Sequence, residues 1–266
     1  MLVNSVPTRR LVPLAATFAA VYAMLRLIPF SLWIGASGRA FTVTEFVAPL
    51  FGIILGPYVG SAAAVVGTFL AIILTGHMNF FGLDFLPVLL NALVLGFLIR
   101  RRWAVSLLLY SVLLVLFFVD PMTLHFVSVP LWNWVLEVPF VWLHVVAWIL
   151  LASPLGRRSV DWVTERTAWK ATCAAFILVL VGTTAQHLTG TILFATLAVP
   201  VMGITPKVLD LTWNAVFYIY PVERFIVILA GTIVTTGVVR ALMAAGLLRP
   251  QARSLSSINT SGQTAS

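Results

Sequence analysis

Between residues 42 and 74 the chain carries one charged side chain, Glu45. As a single helix this run is about 50 Å long at 1.5 Å per residue. A bilayer's hydrocarbon core is roughly 30 Å thick, and tilt absorbs only part of such an excess. The run also holds Gly52, Gly56 and Gly60 at intervals of four, with Pro57 directly after the second. Glycine suits the position just past a helix end and proline the first turn of the next helix. The sequence therefore predicts two spans, over 42–55 and 58–74, that meet at a turn on Gly56-Pro57.

The rest of the chain has the same character. Of its 266 residues 61% are hydrophobic and 9% charged, where a soluble domain carries roughly 25% charged residues. Long apolar runs with short polar breaks predict an all-α polytopic membrane protein. The net charge of +8 would suggest nucleic acid in a soluble protein. Here the basic residues sit at the ends of apolar runs, where they orient a chain in the bilayer instead. The single cysteine, Cys173, allows no internal disulfide.

Placing Arg9 and Arg10 in the cytoplasm gives about eight transmembrane helices, over 11–33, 42–55, 58–74, 81–99, 103–119, 134–151, 169–188 and 222–247. The first run exceeds the apolar core of about 7–15 residues of a signal peptide and reads as a retained span. The turn at Gly56-Pro57 brings Arg100, Arg101 and Arg102 inside, as the positive-inside rule favours. The charged segment 153–170 also falls inside. All but four of the sixteen Lys and Arg residues then face the cytoplasm; the exceptions are Arg26, Arg39, Lys207 and Arg224. Arg26 is placed to snorkel from the outer end of the first span. Residues 189–221, interrupted by Gly190, Pro200, Gly203 and Pro206, read as an outer cap or a re-entrant segment, which needs cover from protein or a wet cavity. Both termini are cytoplasmic in this layout. Residues 1–249 form one transmembrane helical domain, and 250–266 are a disordered cytoplasmic tail.

No nucleotide loop, zinc-protease motif, cysteine cluster or serine-hydrolase elbow is present. The sequence predicts neither an enzyme nor a bound cofactor or metal, and His77, His125, His144 and His187 read as isolated. Polar residues at membrane depth are costly unless they face a cavity or a partner. Those near the outer half form a group: Asn79, Asp84, Asn91, His187, Asn214, Tyr220, Glu223 and Arg224 are the candidate substrate-binding residues. Glu45, Gln186 and Tyr218 lie at the same depth. Asp84 and Asn91, seven apart, share a helix face. Small residues recur along Ala15, Ala19 and Ala23, a spacing that lets helix backbones approach closely in lipid.

The Ala15-Ala19-Ala23 stripe, "FVAPLFGIILGPYVGSAAAVVGTFLA" over 46–71 and "YPVERFIVILAGTIVTTGVVRAL" over 220–242 resemble the substrate-binding S components of energy-coupling factor transporters. The resemblance covers roughly a third of the chain. It implies a membrane-embedded subunit that captures a vitamin or similar micronutrient outside and delivers it with a coupling transmembrane subunit and ATPase subunits. It also implies that Ala15, Ala19 and Ala23 dock on the coupling subunit. The family usually has six spans, so the spans over 103–119 and 134–151 read as an added hairpin on a six-helix core. A self-sufficient secondary transporter and a non-transporting scaffold are the alternatives.

Overall fold

A computed structural model of the chain describes residues 8–28 and 42–248. Trp33, Arg39, Arg249, Arg253 and the expected tail over 250–266 lie outside the described residues. Helix α1 spans Thr8–Leu25, and a 3-10 turn covers Val43–Phe46. The short α2 (Ala48–Leu50) runs into a π-helical turn, Phe51–Leu55, and α3 spans Gly56–Thr75. Next come α4 (Phe85–Ile99), α5 (Trp103–Val119), strands β1 (Phe126–Leu131) and β2 (Trp134–Pro139), α6 (Trp142–Ala152), α7 (Pro154–Trp162), α8 (Ala168–Ala198) and α9 (Pro206–Ala244). Among the described residues, three helical stretches are long and apolar enough to cross a membrane: residues 48–75, α8 and α9.

Within the first of these stretches the chain reverses. Gly56 adopts φ 77° and ψ −175°, a conformation open to glycine and to few other residues. A Cβ on Gly60 would lie 2.2 Å from the Phe51 carbonyl oxygen, although residues nine apart in a straight helix are separated by about 13 Å. The turn is wedged against the last turn of α4, where a Cβ on Gly96 would lie 2.3 Å from the Pro57 nitrogen. The Arg100 guanidinium lies over the Tyr58 ring at 5.2 Å. So the Gly-Pro turn and the arginine triplet occupy one end of the bundle.

The same end collects the other basic segments. Arg101 pairs with Asp161 of α7, and Arg157 lies over the Trp103 ring at 4.8 Å. Ser153 caps α7 by accepting the Leu155 N–H at 3.1 Å, and Pro154 takes the first helical position. Helix α8 leaves this end and α9 returns to it. At the far end of α4, Asp84 pairs with Arg26 at 2.8 Å.

Helix α8 is the axis of the bundle; every residue from 177 to 189 is buried. Helices α4, α5, α6, α7 and α9 pack around it. Glycine permits the closest approach: a Cβ on Gly182 would lie 2.5 Å from a Leu95 methyl. The outer faces of α3, α5 and α9 expose large apolar side chains, among them Ile73, Val119 and Ile233, as lipid contact requires.

Three expectations need correction. Residues 134–139 are a strand, paired antiparallel with β1 through a turn at Trp132-Asn133, so the helix expected over 134–151 begins at Trp142. The valines at 127, 129, 135 and 138 suit strands, and a short apolar run does not by itself distinguish strand from helix. Residues 189–221 are neither an irregular cap nor a re-entrant loop. Helix α8 continues through Gly190 to Ala198, and α9 begins at Pro206 and carries Pro221 within it. Pro200 and Gly203 fall in the connection between them. The alanine stripe of α1, finally, faces inward. Ala19 and Ala23 are 3% and 2% exposed, and a Cβ on Gly67 of α3 would lie 2.9 Å from the Ala19 carbonyl oxygen. The neighbour that meets the stripe is α3, because Gly67 lacks a side chain to hold it off.

Candidate functional site

The end of the bundle opposite the arginines holds a half-open cavity of about 220 Å³. Five segments build its wall. Helix α1 contributes Tyr22 and Arg26, the 3-10 turn Thr44 and Glu45, and the approach to α4 contributes Asn79, Phe80 and Asp84. Gln186 and His187 come from α8, and Trp213, Tyr220, Glu223 and Arg224 from α9.

Two ion pairs organise the wall. In the first, Arg26 Nη2 donates to Asp84 Oδ1 at 2.8 Å. The same carboxylate accepts the Asn79 and Phe80 backbone N–H groups at 2.8 and 3.0 Å. One side chain thus ties the end of α1 to the segment entering α4, and charge-assisted bonds of this type are among the stronger ones. In the second, Arg224 Nη1 donates to Glu45 Oε2 at 2.9 Å, with Arg224 0% exposed. Glu45 Oε1 accepts from Gln186 Nε2 at 2.7 Å, and Gln186 Oε1 accepts from Asn91 Nδ2 at 2.7 Å. This chain of four side chains joins α9, the 3-10 turn, α8 and α4. It carries the desolvation that would otherwise expel each group from an apolar interior.

An aromatic layer adjoins the charges. The His187 ring stacks on Tyr220 at 5.2 Å between centroids and on His144 at 5.2 Å. His144 Nε2 and His187 Nδ1 are 3.0 Å apart, so one ring donates a proton to the other. The Tyr220 hydroxyl donates to the Phe140 carbonyl at 2.6 Å. Behind the pair, the Tyr110 hydroxyl donates to Thr184 Oγ1 at 2.9 Å. Of these rings, His187 and Tyr220 reach the cavity, where they offer a planar group an aromatic surface; His144 and Tyr110 are buried behind them.

Of the residues singled out from sequence, Asn79, Asp84, His187, Tyr220, Glu223 and Arg224 line the cavity. Asn91 does not; it lies fully buried behind the wall and holds Gln186. Asn214 is also absent from the wall, and its amide donates to the Asp210 carbonyl one turn back in α9. The sequence reading missed Tyr22, Thr44 and Phe80, and placed Trp213 at the outer interface without including it among the candidates. It assigned Arg26 to snorkelling, and left Glu45 and Gln186 outside the candidate set although their depth was noted. An opposite-sign pair at one depth, Glu45 and Arg224, was the available signal; their separation of 179 positions concealed the contact. His144 read as isolated because its partner is on another helix. Among the described residues no group of three or more His, Cys, Asp or Glu side chains is placed to hold a metal ion.

No family model matches this chain, and neither a curated protein nor a solved structure is similar to it.

Proposed function

We propose that this chain is a multi-pass protein of the cell membrane, with about eight crossings, that captures a small polar solute in the cavity between α1, α4, α8 and α9. The observation that carries this reading is a half-open cavity lined by two ion pairs and by the stacked His187 and Tyr220 rings inside an otherwise apolar bundle. Ionisable groups at membrane depth are costly and mark pathways or ligand sites by default. A cavity with both charge signs and a flat aromatic wall suits a zwitterion, or a planar heterocycle bearing a charged substituent.

The positive-inside rule orients the arginine-rich end to the cytoplasm and the cavity to the outside. A chain lacking Cys173 and carrying either H77C or R158C tests this orientation in intact cells. A membrane-impermeant maleimide should label H77C and spare R158C; equal labelling from outside would refute the orientation.

With no nucleotide loop of its own, the chain would take up its solute with a coupling subunit and ATPases, in the manner of the S components it resembles. The buried alanine stripe leaves docking to another surface of α1, where Ala16 and Ala20 are exposed. The capture step is testable by mass spectrometry of small molecules released from the purified chain. Wild-type protein should carry one compound near stoichiometric amount. E223A should lose it about ten-fold, the effect of 1.4 kcal/mol from one lost charged contact. Wild-type protein that carries no such compound, and that melts at the same temperature with and without an extract of growth-medium metabolites, would overturn the reading.

A further inference from the structure

The β1–β2 hairpin has a role that the cavity does not explain. Its register pairs Val127 with Val138, Val129 with Leu136, and Leu131 with Trp134. Alternate pairs share a face, so one face is apolar from base to tip. The other face carries Ser128 and Glu137, whose side chains are hydrogen-bonded to each other. Cover over the apolar face fades along its length. Val127 is buried, Val129 and Val138 are half-buried, and Leu131, Trp134 and Leu136 are exposed. At the turn Trp132 is 104% exposed, and beside it Trp134 is 80% exposed. The bundle covers the base of the hairpin, and the tip overhangs its edge.

The height of the base fixes what the tip meets. Phe140, directly after β2, is bonded to Tyr220 of α9, and Tyr220 lies about 30 Å along the helix from Arg240 at 1.5 Å per residue. That is the thickness of a hydrocarbon core. With Arg240 at one boundary, the hairpin leaves the bundle at the other. Leu116 and Val119, in the last turn of α5 before the connection to the hairpin, also expose apolar side chains. The tip carries no charged side chain, and tryptophan is the residue enriched where headgroups meet acyl chains. A two-stranded hairpin alone is marginal in water, so an uncovered apolar face requires a surface to lie on.

We infer that the hairpin is an interfacial anchor: it lies along the membrane face opposite the arginines, with Trp132 and Trp134 among the phospholipid headgroups. The anchor pins the connection between α5 and α6 beside the Phe140-Tyr220 contact, and so fixes the aromatic wall against the bilayer.

The test uses the full chain with C173S and N133C, labelled at residue 133 with an environment-sensitive fluorophore and reconstituted into phosphatidylcholine vesicles. Phospholipid bearing a nitroxide near the headgroup should quench most of the emission, and aqueous iodide should quench little of it. Strong iodide quenching without nitroxide quenching would overturn the proposal, since the tip would then stand in water and its apolar face would await a protein. Adding W132S and W134S should reverse the two sensitivities while leaving the melting temperature of the bundle unchanged. If the doubly substituted tip remains quenched by nitroxide lipid, the tryptophans are not the anchor and the inference fails.

Discussion

Replacing Glu45 with alanine destabilises the protein by about 3–5 kcal/mol, because it removes the carboxylate bonded to the buried Arg224 guanidinium. Arg224 is 0% exposed, so water does not reach it to compensate. The substitution also removes the acceptor of Gln186 Nε2, and Gln186 in turn orients Asn91. A loss of that size lowers the melting temperature by about 10 °C or more in a chain of this length. The paired substitution E45Q/R224M removes both charges and keeps most of the volume. It should recover more than half of the loss, since a buried ion pair exchanged for neutral groups is often nearly neutral in stability. Thermal unfolding in one detergent at one pH checks both outcomes. An E45A protein that melts like wild type would show that the pair does not hold α9 to the 3-10 turn.

Gly96→Ala should be nearly as damaging, through geometry alone. The added methyl would stand 2.3 Å from the Pro57 nitrogen and 2.5 Å from its Cα. These are backbone atoms of a turn already fixed by Gly56, so no rotamer change relieves the overlap. Overpacking costs typically about 1–3 kcal/mol, and here the helices must separate, which puts the cost at or above the top of that range. Gly237 in α9 is the control. A Cβ there meets nothing within 4 Å, and Gly→Ala in an open helical position stabilises by up to about 1 kcal/mol. The yield of monodisperse protein and its melting temperature should fall for G96A and hold or rise for G237A. A G96A chain as stable as G237A would mean that α4 does not rest on the Gly-Pro turn.

The reversal at Gly56-Pro57 was legible because two independent constraints agreed on it. The run is too long for one span, and only a turn brings Arg100–Arg102 to the end that holds Arg157 and Arg158. The depth of Glu45, Asp84, Gln186 and Arg224 was legible for a similar reason, since position along an apolar run fixes height in the bundle. Rotation about each helix axis was not. Apolar residues surround a membrane helix on both its lipid and protein sides, so periodicity does not say which side faces inward. That is why the face carrying Ala19 reads as a docking surface although Ala19 packs on Gly67, and why Asn214 groups with residues it does not join. Strand and helix were also indistinguishable over 134–139, which reads as the start of the span over 134–151 although it is the second strand of a hairpin. Proline misled in the other direction: Pro221 marked a break that α9 passes through.

The four-residue chain from Arg224 to Asn91 stands about 25 Å along α8 and α9 from their arginine-rich ends. Below it Thr183, Thr184 and Thr232 each return a hydrogen bond to a carbonyl of their own helix, while the Thr235 and Thr236 hydroxyls of α9 are buried without a hydrogen-bond acceptor or donor beside them among the described residues. On the proposed capture reading, a molecule held against that polar floor sits in a vestibule, with about 25 Å of bundle between it and the arginine-rich end. On that same reading, onward passage calls for a concerted shift of whole helices, and the intervening thickness is the seal that keeps ions from leaking while the vestibule fills.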